Sequence, residues 1–167
     1  MRVEEKIASL LKGSGMTLSA AESCTGGRIS HLITTVSGSS EYYLGSVTSY
    51  AVSVKEKVLG VPSSTVSTCG VVSAEVAAAM AQGVQSLTGS TFSVATTGLA
   101  EGGNDRYPEG TVWIAAAFPG GVRTLLYQYN HGRKDNIRRF AIVSLRFLAK
   151  TIEDYVNNCE IGNKTKL

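Results

Sequence analysis

Apolar side chains recur at the spacing of an α-helix in several segments of the chain. Over Val3–Leu11 the apolar residues share one face and charged residues surround the other, and Gly13 follows, which predicts an amphipathic helix with a defined end. The same spacing predicts helices over Gly26–Thr35 and Asp135–Tyr155. The alanine-rich stretch after Ser73 predicts a helix capped by that serine, and its small side chains favour close packing on a sheet.

Other segments are short, apolar and rich in β-branched residues, which predicts strands. The most continuous apolar runs are expected where both faces of a sheet are covered. A Pro-Gly-Gly turn joins the last two strands as a hairpin. A short helix or turn is expected over Val54–Leu59, and a loop over Ser63–Gly70. The predicted strands are Thr17–Ala21, Leu44–Val52, Thr91–Thr97, Thr111–Phe118 and Val122–Tyr129.

The alternation of helices and strands, with one hairpin late in the chain, predicts the fold class. It indicates an α/β protein, a three-layer α/β/α sandwich on a mixed sheet of about five strands. A length of 167 residues suits a single domain that spans residues 1–167. The polar residues 157–167 are expected to form a frayed tail.

The composition argues against several classes of function. Charged residues are 17% of the chain and the net charge is +3, and about half of the basic residues follow Gly121 without interleaved aromatic residues, which argues against a nucleic-acid binder. No apolar run reaches the ~20 residues of a membrane helix, and the first residues do not resemble a signal peptide, so a cytoplasmic location is expected. Three cysteines without a CxxC pair indicate free thiols, and the two histidines match no metal-site spacing.

The candidate chemistry is concentrated between Ala20 and Lys55. A strand is followed by Ser23-Cys24-Thr25-Gly26-Gly27 and then by a helix, an order that often builds an anion-binding or catalytic pocket. Two interpretations stay open for this turn. It is either a tight strand-to-helix connection without a ligand, or a turn whose amides and Thr25 hydroxyl hold a substrate group.

Two nucleophiles can be considered in this segment. The thiol of Cys24 lies at a helix start, where its pKa can fall, but His31 lies ~10 Å away along the helix, too far for a hydrogen bond. A serine hydroxyl can instead be activated by a lysine whose pKa is lowered by burial. Ser40 lies in a Ser-rich turn, a common turn residue on its own, while Tyr50 and Lys55 follow it in the chain.

These motifs resemble a known family. The sequence AESCTGG, the Gly-Ser-Ser turn ending at Ser40, the spacing of Tyr50 and Lys55, and TTGLAEGG at residues 96–103 are similar to the C-terminal domain of the competence/damage-inducible CinA proteins. The resemblance covers roughly Val3–Tyr155. It implies the same three-layer architecture with one antiparallel strand. Stand-alone members of the family are nicotinamide mononucleotide deamidases.

The resemblance also implies a reaction and a site. Ser40 would attack the carboxamide of nicotinamide mononucleotide, Lys55 would remove its proton, and Tyr50 would help pass the proton to ammonia, giving nicotinic acid mononucleotide without a metal or organic cofactor. The expected partners are this pyridine mononucleotide and further copies of the chain, with neither nucleic acid nor membrane. The alternative is a non-catalytic nucleotide- or partner-binding domain of the same fold.

The substrate-binding candidates surround these three residues. Glu22 could bind a sugar hydroxyl or pair with a basic side chain, and Arg133 with Lys134 could meet a phosphate or form a solvated turn. Val52 and Glu101 stand where the family commonly has Asn and Gly, which bears on substrate fit. The full set of substrate-binding candidates is Glu22, Ser23, Thr25, Gly26, Gly27, Gly98, Arg133 and Lys134.

Overall fold

The computed structural model describes residues 1–164, with side chains described for residues 1–159. Within that range helices and strands alternate as predicted through the second strand, and then three helices, three strands and a last helix follow. The strands are β1 (Leu18–Glu22), β2 (Tyr43–Thr48), β3 (Phe92–Leu99), β4 (Thr111–Phe118) and β5 (Gly121–Gln128). The helices are α1 (Val3–Leu11), α2 (Arg28–Thr34), α3 (Val52–Leu59), α4 (Ser63–Cys69), α5 (Ala74–Thr88) and α6 (Arg133–Lys164), with a 3₁₀ turn at Ser39–Glu41.

The five strands form one mixed sheet in the order β2-β1-β3-β4-β5. The strand β1 is parallel to both β2 and β3, whereas β4 is antiparallel to β3 and to β5. Strand β4 is therefore antiparallel to the other four strands, which all run in the same direction. The predicted mixed sheet with one antiparallel strand is confirmed.

Helices cover both faces of this sheet and give the three layers. On one face α6 contacts both α1 and α2, while α5 covers the other face and contacts α3 and α4. Successive strand residues point to opposite faces, so Val94 belongs to the core under α6 and Ala95 to the core under α5. The α5 core is built mostly from alanine and valine, which lets that helix approach the sheet closely.

The segment predicted as a loop, Ser63–Gly70, contains the helix α4 instead. Its serines and threonines are weak helix formers, which is why the sequence favoured a loop. Two contacts stabilise the helix. Val66 packs into the core under α5, and the guanidinium of Arg106 donates to the carbonyls of Thr68 and Cys69 at the helix end. A tertiary contact thus adds to the local cap at Gly70, whose N–H donates to the carbonyl of Val66.

Three boundaries also differ from those predicted. Strand β2 ends at Thr48, and Val52 already belongs to α3. Arg133 and Lys134 form the first turn of α6 and do not precede it. The same helix continues through Lys164, where a frayed tail was expected from residue 157, because Tyr155 and Val156 extend its packing on the core. Residues 165–167 lie outside the described residues.

The parallel strands fix where a site can form. The carboxyl ends of β1, β2 and β3 meet at one edge of the sheet, and β5 runs in the same direction, so the start of α6 reaches that edge too. Ser23, Tyr50, Leu99 and Arg133 come from these four chain segments. In the described part of the chain, no helix combines the length and apolar character that crossing a membrane requires.

Candidate active site

A cavity of about 300 Å³ lies at the carboxyl edge of the sheet. Its walls are supplied by the turn after β1, the start of α3, the link between α4 and α5, the end of β3 and the start of α6. The residues that can react or carry charge in this lining are Ser23, Cys24, Tyr50, Lys55, Glu101 and Arg133.

The central contact of the cavity joins a serine and a lysine. The Nζ atom of Lys55 lies 2.9 Å from the Oγ atom of Ser23. Ser23 is placed by its backbone N–H, which donates to the carbonyl of Thr96 on β3 and continues the pairing of the strands. Lys55 comes from the first half of α3 and is 1% exposed, so its amine is buried beside the hydroxyl.

The three partners of the Lys55 amine are oxygen atoms that carry no negative charge. Its Nζ atom donates to the carbonyl of Ser49 at 2.6 Å and to that of Tyr50 at 3.4 Å, and a carbonyl can only accept. Two N–H bonds satisfy these two carbonyls. The third partner is the Ser23 hydroxyl, which accepts from the Lys55 amine and can donate its own proton to that amine once Lys55 is neutral. This is the arrangement of a general base and its nucleophile.

The surroundings of Lys55 also lower its pKa. Burial disfavours the charged ammonium and lowers the pKa below the ordinary value of 10.5, and the nearby Cys24 opposes this effect. Within the described residues no carboxylate forms an ion pair with this amine. Glu22, which directly precedes Ser23 in the chain, accepts from backbone N–H groups instead.

Glu22 anchors the turn that carries Ser23. Its side chain is fully buried, and its two carboxylate oxygens accept from the backbone N–H groups of Gly27, Ile29 and Ser30 at 2.8–3.1 Å. These donors belong to the start of α2, where helical N–H groups lack internal partners and the helix dipole favours an anion. The expected contacts of Glu22 with a sugar hydroxyl or a basic side chain are therefore wrong, because backbone donors occupy both oxygens.

The next residues of the turn, Thr25, Gly26 and Gly27, also hold the turn in its conformation. The hydroxyl of Thr25 is buried and lies 2.8 Å from that of Thr96, so it ties the turn to β3. Gly26 and Gly27 have φ values of 59° and 95°, which a side chain rarely adopts, and they let the chain reverse into α2. None of the three lines the cavity, and their expected role in substrate binding is not supported by their position.

Two backbone N–H groups in this turn donate to no oxygen atom. Among the described residues, no oxygen accepts from the N–H of Cys24 or of Thr25, although the Cys24 N–H also contacts its own thiol. Both follow Ser23 directly in the chain. They are the donors nearest in sequence to the serine that could stabilise negative charge beside it.

Cys24 lines the cavity but is poorly suited to attack. Burial raises the pKa of its thiol to about 12, although a hydrogen bond with Thr96 opposes the shift. The thiolate, which is the reactive form, is therefore rare at neutral pH.

The prediction that Ser40 lies beside Lys55 is wrong. Ser40 is exposed in the 3₁₀ turn that precedes β2, whereas Lys55 follows that strand. The six residues of β2 separate them by roughly 15–20 Å, at about 3.3 Å per residue. The residues just before this turn contact the end of α1, where the Lys12 amine donates to the carbonyl of Ser37.

Tyr50, Glu101 and Arg133 form the mouth of the cavity. Arg133 donates from one terminal nitrogen to the Tyr50 hydroxyl at 3.2 Å, and its other terminal nitrogen lies 3.7 Å from a Glu101 carboxylate oxygen. The Tyr50 side chain is 63% exposed, and its hydroxyl keeps a proton to donate. Lys134 is exposed and does not line the cavity. Of the two cations predicted together as phosphate-binding candidates, only Arg133 therefore lies at the cavity.

The remaining predicted positions can also be placed. Gly98 lines the cavity at the end of β3, and a Cβ atom there would lie 2.5 Å from the Thr111 carbonyl, so only glycine allows this approach of β3 to β4. Val52 and Glu101 line the same cavity. Within the described residues, no cluster of three His, Cys, Asp or Glu side chains could hold a metal ion.

The role of Ser23 beside Lys55 was missed by the sequence reasoning, although a signal for it exists. Ser23 follows the strand β1, as Tyr50 and Lys55 follow β2, and parallel strands bring their carboxyl ends to the same edge. Ser40 precedes its strand. The order of each residue relative to its strand, and not its distance along the chain, distinguishes the two serines.

Comparison with known proteins gives a consistent family. The family model described as the CinA C-terminal domain matches residues 1–152. A CinA-like protein of Cytophaga hutchinsonii is 38% identical over 154 residues, covering 91% of this chain, and one of Geotalea daltonii is 44% identical over 138 residues, covering 81%. The chain spans only 37% and 33% of the length of these two relatives.

Solved structures share the fold along their length. The competence damage-inducible protein A (ComA) of Klebsiella pneumoniae superimposes with a TM-score of 0.87 at 27% identity, covering 90% of this chain and 95% of that one. The competence/damage inducible protein CihA of Agrobacterium tumefaciens gives a TM-score of 0.83 at 32% identity, with the same coverage of 90% and 95%.

Proposed function

The chain belongs to the CinA C-terminal domain family, and on that premise we propose that it is an amidohydrolase in which Ser23 is the nucleophile and Lys55 the general base. The substrate is nicotinamide mononucleotide, and the products are nicotinic acid mononucleotide and ammonia. The observation that carries the proposal is the 2.9 Å contact between Ser23 Oγ and the buried Lys55 amine. A hydroxyl beside a lysine with a lowered pKa is the form that a Ser–Lys nucleophile takes.

The first half of the reaction makes an ester on Ser23. Its Oγ atom attacks the carboxamide carbon while its proton passes to Lys55 Nζ, and a negative charge develops on the former carbonyl oxygen. The N–H groups of Cys24 and Thr25 are the donors available to that oxygen. The carbon–nitrogen bond then breaks, and the leaving nitrogen takes the proton from Lys55 and departs as ammonia.

The second half returns the enzyme to its starting state. A water molecule attacks the ester carbon and gives its proton to Lys55, which passes it to the Ser23 oxygen as nicotinic acid mononucleotide is released. Tyr50 and Arg133 hold the substrate at the mouth of the cavity, the tyrosine by its hydroxyl and the arginine by its charge.

The alternative function is a nucleotide-binding domain of the same fold without activity, and one assay separates the two. The purified chain is incubated with nicotinamide mononucleotide, and ammonia and nicotinic acid mononucleotide are measured together with substrate binding by calorimetry. The proposal expects the two products in equal amounts, and expects none from Ser23→Ala. Binding without ammonia release from the unaltered chain would support the alternative.

A further inference from the structure

The mouth of the cavity carries a cation with a carboxylate already beside it. Arg133 is reached from two sides, by the Tyr50 hydroxyl after β2 at 3.2 Å and by the Glu101 carboxylate after β3 at 3.7 Å. The two other charged groups of the lining are Lys55, whose amine is buried below, and Glu101 itself. Within the described lining, Arg133 is therefore the one exposed cation that an anionic group of a substrate can meet.

Glu101 occupies the position that such an anionic group would take. An arginine binds a carboxylate and a phosphate through the same planar set of N–H donors, so the two anions compete for it. The Glu101 side chain is 66% exposed and can move aside. Because an exposed ion pair is weak, a phosphate can displace the carboxylate, but the negative charge of Glu101 stays at the mouth and repels it.

We propose that Glu101 is a specificity-determining residue that competes with a substrate phosphate for Arg133. It reduces the preference of the cavity for phosphorylated pyridine carboxamides and makes the riboside, which lacks the phosphate, a comparable substrate. This inference rests on the proposed function for its substrate class. The competition itself depends only on the charges and distances at the mouth.

The experiment compares Glu101→Gln, which keeps the shape of the side chain and removes its charge, with the unaltered chain. The Michaelis constant for nicotinamide mononucleotide is expected to fall about three- to tenfold, the size of effect that one weakly screened charge produces. The constant for nicotinamide riboside is not expected to fall, because the riboside lacks the phosphate and carries only the positive charge of its pyridinium ring.

Two controls identify the source of the effect. Asp105→Asn removes one negative charge from the same loop, but Asp105 does not line the cavity, so the Michaelis constants should stay unchanged. In a chain that already carries Arg133→Gln, the addition of Glu101→Gln should give a clearly smaller gain for the mononucleotide, because the cation under competition is gone and only the direct repulsion by Glu101 is removed. An equal gain with and without Arg133 would overturn the proposal.

A binding measurement separates this inference from the proposed function. The dissociation constant of nicotinic acid mononucleotide is measured by calorimetry for the unaltered chain and for Glu101→Gln, and the same three- to tenfold tightening is expected. Tightening without hydrolysis of either carboxamide would sustain the competition and refute the amidohydrolase. Hydrolysis with an unchanged dissociation constant and unchanged Michaelis constants would sustain the amidohydrolase and refute the competition.

Discussion

The amine of Lys55 lies 2.9 Å from the hydroxyl of Ser23, although 32 residues separate the two in the chain. The contact exists because β1 and β2 are parallel and end at the same edge of the sheet. Ser23 follows the first strand, and Lys55 lies in the helix that follows the second. The pair thus depends on the register of two adjacent strands.

The choice between the two serines can be tested directly. We expect Ser23→Ala to lower kcat for nicotinamide mononucleotide by at least about a thousandfold, because the nucleophile is lost. Ser40→Ala is the matched control and should keep kcat within about twofold, since Ser40 is exposed at the opposite edge of the sheet. The measurement is ammonia release under substrate saturation. Loss of activity in Ser40→Ala with retention in Ser23→Ala would reverse the assignment.

The pH dependence of activity should report the Lys55 amine. Only the neutral amine can take the Ser23 proton, so kcat/KM should rise with pH and level off once Lys55 is deprotonated. Because burial lowers the pKa of Lys55, the midpoint of this rise should lie below 10.5. Lys55→Met should remove the activity, whereas Lys57→Met, on the exposed side of the same helix, should leave the profile in place. A profile that falls over this range would contradict a lysine base.

The thiol of Cys24, next to the proposed nucleophile Ser23, should react slowly with alkylating reagents. With a pKa of about 12, about one Cys24 thiol in ten thousand is ionised at pH 8. We expect iodoacetamide to label the exposed Cys159 well before Cys24, as read by peptide mass spectrometry. Cys24→Ala should keep most of the deamidase activity. Rapid labelling of Cys24 together with loss of activity in Cys24→Ala would assign the nucleophile to the thiol.

We expect Glu22 to contribute to the stability of the fold and not directly to the reaction. In Glu22→Gln one charged oxygen is replaced by an NH₂ group, which faces backbone donors at the start of α2. We expect the free energy of unfolding to fall by about 2–3 kcal/mol, the cost of a lost charged acceptor and an unsatisfied donor. Urea denaturation measures it. Glu41→Gln, which neutralises an exposed carboxylate, should change stability by less than about 0.5 kcal/mol.

Local patterns along the chain were sufficient for most of the elements. The predicted bounds of α1 and β4 agree with the structure, because each has a strong period and a clear end signal. The helix after Ser73 is capped as predicted, since the Ser73 hydroxyl accepts from the N–H of Val76. The helix α4 could not be found in this way. Its end is held by Arg106, a residue of a distant loop.

The candidate site, like the fold, was predicted from the sequence only in part. Lys55, Tyr50 and Arg133 were predicted as site residues from their residue types and the family resemblance, and the structure brings these three into the lining of one cavity. The sequence left Glu22 between two roles. In the structure Glu22 has a third role, because its carboxylate accepts from backbone N–H groups at the start of α2. Only the tertiary structure brings these groups next to the end of β1.

The sequence by itself determined most of the secondary structure, the mixed sheet and the family, because periodicity, turn residues and motifs are properties of neighbouring positions. Only the tertiary structure decided which serine meets Lys55. Strand direction sends Ser23 to the edge that holds the amine and leaves Ser40 at the other edge, and a strand of six residues is too long for any side chain to reach across. The pairing of Glu101 with Arg133 was decided in the same way, since it joins the loop after β3 to the helix after β5.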